Sequence, residues 1–375
     1  MLISKIKRSL TAMAGLALLA NAGGAAADYA LNLRRGVTPI SNEIYDLHML
    51  ILWVCVAIAV VVFAVMFISI LKHRKSKGAQ PAQFHESTTV EIIWTVVPFL
   101  ILIGMAIPAT KALVMMEDTS NSDLSIKVTG YQWKWGYDYL DEGVSFISTL
   151  TTPREQIENQ QEKGEHYLLE VDNPLVVPIN KKVRMLITAS DVIHAWWVPD
   201  FGMKKDAIPG FVNEMWFKAE KEGTYRGQCA ELCGKDHGFM PIVVIVKNEA
   251  DYRQWVAEQK GQMAAASAGA ERDWSMAELM ERGEKVYAGS CAACHQAAGE
   301  GIPGTFPALK GGAIATGPKD AHIDIVMNGK PATAMGAFAA QLNDVDLAAV
   351  ITYERNAWGN DTGDLVQPAE IKATR

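Results

Sequence analysis

The sequence predicts a multidomain membrane protein with a two-helix transmembrane hairpin, an all-β sandwich or barrel, and an all-α C-terminal domain. Three observations carry this. Long apolar runs are confined to the first 110 of 375 residues. A β-rich stretch punctuated by Gly, Pro and Asn follows. The last hundred residues return to helix-like apolar spacing. The expected units are a signal peptide (1–27), an N-terminal segment with two spans (28–112), the β domain (113–257), a linker (258–275) and the helical domain with its tail (276–375).

The N-terminus has the layout of a cleavable export signal. Lys5, Lys7 and Arg8 form a positive region, Leu10 to Ala20 an apolar one, and Ala25-Ala26-Ala27 a small-residue site before Asp28. A retained short anchor is the alternative. The spans follow at about 47–71 and 90–109, each long enough for a hydrocarbon core of roughly 30 Å. Between them Lys72, Arg74, Lys75 and Lys77 face one acid, Glu86. The positive-inside rule makes that loop cytoplasmic and puts everything after the second span outside. The expected location is a bacterial inner (plasma) membrane, multi-pass, with the C-terminal part on the periplasmic side.

Charge divides along the same line. The whole chain has a net charge of −7, which argues against a nucleic-acid binder. From residue 111 onward 26 Lys and Arg stand against 37 Asp and Glu, a net of −11. An acidic face steers a basic partner; a generic solvated surface reads the same way. Five cysteines are too few for a disulfide scaffold.

In the β domain, Ile126–Thr129, Tyr167–Val171, Val183–Thr188 and Ile242–Val246 are expected strands, and an antiparallel sandwich or barrel fits them. Glu258 to Ser275, containing GQMAAASAGAE, sustains no apolar period and reads as a partly flexible linker. Met276–Val286 and Asp344–Arg355 are expected helices.

Two clusters carry chemistry. The first, CAELCGKDHGFM, holds Cys229, Cys233, His237 and Met240 within twelve residues, and His194 lies 35 residues upstream in DVIHAWWVP. Thiolate, imidazole and thioether together favour copper. Zinc rarely recruits Met. A mononuclear blue site needs one Cys; two permit a thiolate-bridged copper pair, suited to electron transfer rather than bond-making. A Cys229–Cys233 disulfide and a zinc site are the alternatives. The second cluster, CAACH at Cys291 to His295, is a covalent haem attachment motif with His295 as proximal ligand. Met327, Met335 and His322 are the candidates for the sixth position. Among the aromatics of GYQWKWGYDY, period-two spacing is that of a strand packed on a core. Glu91, at the start of the second span, reads equally as an interfacial carboxylate.

From about residue 40 to 256 the chain resembles subunit II of haem–copper cytochrome c oxidases, on the motif C-x-E-x-C-x3-H-x2-M together with DVIHAWWVP, GMKKDAIPG, GYQWKW and VEIIWTVVP. The resemblance implies a cupredoxin-like β domain with a dinuclear copper-A centre. Cys229 and Cys233 would bridge the coppers, His194 and His237 would be terminal ligands, and Met240 a weak one. Glu231 would give its carbonyl to copper and its carboxylate to a magnesium shared with subunit I. Trp133 would be the electron-input tryptophan, and Glu91 would lie at the mouth of a proton pathway. Trp196 and Trp197 would shield the centre; Asp191 and Asp206 match acids near it.

The C-terminal part resembles a class I cytochrome c domain: CAACH, Phe306–Leu309, a loop Met335, then Tyr353–Asn356. Gly336 stands where the family often has Pro. Met335 is the expected axial partner, since a His–Met pair raises the potential. The whole is similar to a subunit II with a fused cytochrome c, as in caa3-type oxidases. It implies electron flow from a cytochrome c-type donor or cytochrome complex, through haem c and copper-A, to haem a in subunit I, in a proton-pumping complex with subunit III. A membrane-tethered carrier serving a different terminal reductase is the alternative. A copper-delivery or storage protein is the other, and covalent haem has no place there.

Overall fold

The computed structural model describes residues 32–375 apart from 81, 82, 84 and 332. The expected signal peptide, 1–27, lies outside the described residues. Two long helices come first, α1 (Pro39–Lys72) and α2 (Thr88–Glu117). At 1.5 Å per residue they are about 51 and about 45 Å long, longer than the roughly 30 Å hydrocarbon core. Both therefore extend beyond the expected apolar spans. α1 starts early because Thr38 and Ser41 form a capping box and Pro39 occupies the first turn. The Thr38 hydroxyl also donates to the Phe201 carbonyl at 2.7 Å, tying the helix base to the β domain. α2 returns to the same domain, where the Trp216 indole donates to the Met115 carbonyl at 3.1 Å. The basic loop lies at the far end of the hairpin. Along both helices large apolar side chains such as Trp53, Phe63, Trp94 and Phe99 are bare, as a lipid-facing surface requires.

The β domain is a sandwich of two five-stranded sheets. The strands are β1 (Leu124–Tyr131), β2 (Lys134–Tyr139), β3 (Val144–Ser148), β4 (Leu175–Pro178), β5 (Val183–Ala189), β6 (His194–Val198), β7 (Met203–Ala207), β8 (Asn213–Phe217), β9 (Gly223–Cys229) and β10 (Pro241–Lys247). One sheet runs β3-β2-β1-β5-β8 and the other β4-β10-β9-β6-β7. Neither is purely antiparallel, contrary to the expectation: β1 pairs parallel with β5, and β10 with β4. The chain visits the opposite sheet between these partners, so a parallel neighbour needs no crossover helix. β5 shows the period-two pattern, burying Val183, Met185, Ile187 and Ala189. On β2 the aromatics Trp135, Tyr137 and Tyr139 all enter the core. Their polar ends bond across it: the Tyr139 hydroxyl donates to the Val176 carbonyl at 2.7 Å, and the Trp196 indole reaches the Tyr137 hydroxyl at 3.3 Å.

Two local expectations fail. Tyr167–Val171 is a turn, with only an isolated bridge between Leu150 and Val171. Its β-favouring residues find no neighbouring ladder, and tertiary context decides. The segment 258–275 is helical as far as Gly269, inside α3 (Glu249–Gly269). Tyr252 and Val256 of α3 are buried in the sandwich core, and Trp255 packs on Tyr139 at 5.2 Å. That anchored first half nucleates the helix, and the alanines of MAAASAG, the best helix formers, propagate it.

Helices α4 (Met276–Ser290), α5 (Lys319–Asn328), α6 (Asp344–Asn356) and α7 (Pro368–Thr374) build a second, separate core around Tyr287, Val326, Leu347, Val350 and Ile351. Arg355 and Asn356 brace the loop after α6: the buried Arg355 guanidinium binds Asp364 and the Gly317 carbonyl, and the Asn356 amide donates to the Asp364 carbonyl at 2.8 Å. α4 crosses α6 at Gly283, where an added Cβ would lie 2.2 Å from the Ala349 carbonyl oxygen. Gly283→Ala is therefore expected to destabilise the helical domain by about 1–3 kcal/mol through overpacking. That corresponds to a fall of several degrees in its melting temperature. Differential scanning calorimetry of the full chain should show it with the sandwich transition unmoved.

Candidate functional site

The first site is built where β9 ends. Cys229 is the last residue of β9, and the following loop returns to β10 through Cys233, the turn His237–Phe239 and Met240. This short excursion turns both sulfurs inward: the Cys229 and Cys233 Sγ atoms are 3.9 Å apart and unbonded, and both residues are buried. Cys233 Sγ lies 3.5 Å from His237 Nδ1 and 3.5 Å from Met240 Sδ. Cys229 Sγ lies 3.9 Å from His194 Nδ1 and 3.3 Å from the Glu231 carbonyl. Among the described residues, His194, Cys229 and Cys233 bring one donor atom each within 4.8 Å of one another.

His194 arrives from the neighbouring strand β6, whose Trp196 is paired with Cys229. Its Nε2 donates to the Asp191 carboxylate at 2.9 Å, which fixes the tautomer and leaves the Nδ1 lone pair facing the sulfurs. Asp191 is itself held by the backbone amides of Gln132 and Val192, each at 2.7 Å. Burial opposes charging His194, but Asp191 and Cys229 outweigh it and raise its pKa. The contact with Cys233 draws the Cys229 thiol below the ordinary range, and the contact with Cys229 pushes the Cys233 thiol up.

A second tier fixes the loop. The Gln132 side-chain amide and the Trp133 indole both donate to the Cys233 carbonyl, at 2.8 and 3.3 Å. The Trp135 indole donates to the Met240 carbonyl at 3.3 Å. Trp196 is fully buried and stacks on Phe217, whereas Trp197 is 36% exposed. Asp206 is exposed on β7, opposite Ala195. The Glu231 side chain is exposed, as is Glu91 in the first turn of α2. The donor set fits copper: two thiols, a thioether and imidazoles converge in a dry pocket without a hard-ligand cage.

The second site lies in the helical domain. Cys291 ends α4 and begins the helical turn Ala292–His295, which carries Cys294. His295 is buried, and its Nδ1 donates to the Pro307 carbonyl at 2.9 Å. That orients the ring and leaves Nε2 free as an iron ligand, so the residues present fit a haem. Of the three sixth-ligand candidates, His322 is engaged by Glu354, with Nε2 2.8 Å from its carboxylate. Met327 is buried in the helical core. Met335 sits half-buried in the loop after α5.

Sequence reasoning missed Gln132, Gly130 and Pro307. Pro307 stood in view inside Phe306–Leu309. Gly130 carried no pattern of its own: a Cβ there would lie 2.7 Å from His194 Cδ2. Gly130→Ala should therefore displace the imidazole, and Asp191→Ala should release it. Each is expected to weaken copper retention against a chelator, by about 10–100-fold for the Asp191 change, with the sandwich still folded by circular dichroism.

Comparison with known proteins identifies the domains. The family model for cytochrome c oxidase subunit II, periplasmic domain, matches residues 124–247, and that for its transmembrane domain matches residues 26–112. A third, for subunit III of cbb3-type cytochrome c oxidase, matches residues 278–353. The probable cytochrome c oxidase subunit 2 of Rickettsia bellii is 42% identical over 61% of this chain and 83% of its own length. Cytochrome c oxidase subunit 2 of Arabidopsis thaliana is 39% identical over 63% of this chain and 91% of its own. The crystal structure of the periplasmic domain of subunit II of cytochrome oxidase from Bradyrhizobium japonicum is 46% identical, covering 38% of this chain and 98% of that one, with a TM-score of 0.35. The matched domains imply copper binding in the cupredoxin-like sandwich and haem c binding in the helical domain. The chain belongs to the cytochrome c oxidase subunit 2 family, as a membrane-bound oxidase subunit with a C-terminal cytochrome c domain.

Proposed function

We propose that this chain is the electron-input subunit of a proton-pumping terminal oxidase, taking electrons from a cytochrome c-type donor at haem c and delivering them by dinuclear copper-A to haem a of subunit I, where oxygen is reduced to water. The observation that carries this reading is the convergence of Cys229, Cys233, His194, His237 and Met240 in one chain with the CAACH turn. When bound, copper and haem iron each supply reversible one-electron storage.

The chain's own residues bind, orient and exclude water. Cys229 and Cys233 would hold copper through their thiolates, His194 and His237 through their imidazole nitrogens, and Met240 and the Glu231 carbonyl more weakly. The Glu231 carboxylate is left for a magnesium at the subunit I interface. Gln132 and Trp133 hold the Cys233 carbonyl, which supports Trp133 as the electron-input residue. Burial of the donors limits solvent reorganisation. Cys291 and Cys294 would attach the haem, and His295 and Met335 would hold its iron.

Placement follows from the hairpin. Its basic loop is cytoplasmic by the positive-inside rule, so both metal-binding domains are periplasmic and Glu91 is at the cytoplasmic end of α2. There it suits the mouth of a proton path into subunit I. Subunit III completes the partners.

The purified full chain should contain about two coppers and one iron, with an EPR spectrum of one unpaired electron shared over both coppers. A single copper with a blue-copper spectrum, or zinc in its place, would sink the dinuclear assignment. Met335→Ala should abolish the sulfur-to-iron absorption of the oxidised haem and lower its potential. Met327→Ala should keep that absorption while costing about 2–5 kcal/mol of stability.

A further inference from the structure

Two lysines of the copper domain reach the haem-attachment turn. Lys235 lies between Cys233 and His237, and its Nζ donates to the Ala293 carbonyl at 3.2 Å. Ala293 stands between Cys291 and Cys294. A side chain of the copper loop is thus bonded to the backbone of the segment that carries the haem. The carbonyls at the end of a helical turn lack internal donors and are natural acceptors for such a cation.

Lys134, directly after Trp133, makes the second contact. It is only 6% exposed, rare for a lysine. Its Nζ lies 5.0 Å from the centroid of the Phe338 ring, which packs against the helical core three residues after Met335. Among the described residues no carboxylate is within ion-pair distance of it. Burial lowers its ammonium to about 8. The domain it meets is acidic, with 12 Asp and Glu against 8 Lys and Arg from residue 276 onward.

We infer that Lys134 and Lys235 are positioning residues, a two-point clamp that holds the cytochrome domain docked with its haem-attachment turn against the copper loop. The clamp rests on the copper and haem reading above. It makes electron delivery to copper a step within one fixed arrangement. Neither lysine ligates a metal or touches a reacting atom.

The test uses the full chain loaded with copper and haem, with Lys134→Met and Lys235→Ala singly and together, and with both changed to Arg. Two readouts report docking: the acceleration of copper EPR relaxation by oxidised haem, and the rate of haem-to-copper re-equilibration after photoreduction of the haem. The double variant should lose the relaxation enhancement and re-equilibrate at least about tenfold more slowly, the size expected for a lost hydrogen bond from a charged donor. The Arg pair should recover much of both. Unchanged relaxation and rate in the double variant, with both spectra intact, would overturn the clamp and leave the functional reading standing. Loss of either spectrum in the double variant would overturn it too, by assigning the lysines to loading of that site. Absence of a dinuclear copper signal or of haem in the unsubstituted chain would overturn the functional reading, and the clamp with it.

Discussion

The structure is organised around two sulfur atoms 3.9 Å apart inside a dry β-sandwich. Two thiolates so close repel each other, and burial removes the water that would screen them. Their contact shifts the two thiols in opposite directions, Cys229 down and Cys233 up. Much of the domain supports that pair. β9 delivers Cys229, and the loop to β10 returns Cys233 and Met240. β6 brings His194, and the 130–135 segment supplies Gln132, Trp133 and Trp135 to the backbone around them. Gly130 is small because the His194 ring takes the space a side chain would fill.

The haem domain answers a different constraint. Its core is a modest one formed by α4, α5 and α6, and its loops are long and rich in glycine and proline. Order in those loops comes from polar braces: Arg355 and Asn356 hold the segment after α6, and His295 holds Pro307. Burying Arg355 so deeply is offset by Asp364 and the Gly317 carbonyl, which take its Nε and one of its terminal nitrogens. The Tyr-x-Arg-Asn stretch thus has a structural reason that does not depend on the cofactor.

The convergence of Cys229, Cys233, His194, His237 and Met240 was legible because two thiols, a thioether and an imidazole recur in one loop with one upstream His, a pattern no ordinary core produces. The spans were legible by length and apolarity alone, and their extra turns were not, because caps such as Thr38–Ser41 act over three residues. Tyr167–Val171 misled because β-propensity describes a fit to neighbours, and here the pairing stops at the single Leu150–Val171 bridge. The 258–275 segment misled because a run of alanine has no amphipathic period yet is the strongest helix former once Tyr252, Trp255 and Val256 have anchored the preceding turns. Lys134 was invisible for a related reason: nothing in its sequence context distinguishes a lysine on a solvated face from one enclosed between two domains.

The continuity of α3 has a consequence for how such a chain can change length. A flexible tether absorbs an inserted residue at almost no cost. A helix anchored at its first half does not. Each added residue would turn everything beyond it by about 100° and advance it by about 1.5 Å. The short non-helical stretch 270–275 is what remains to absorb that change before α4 begins.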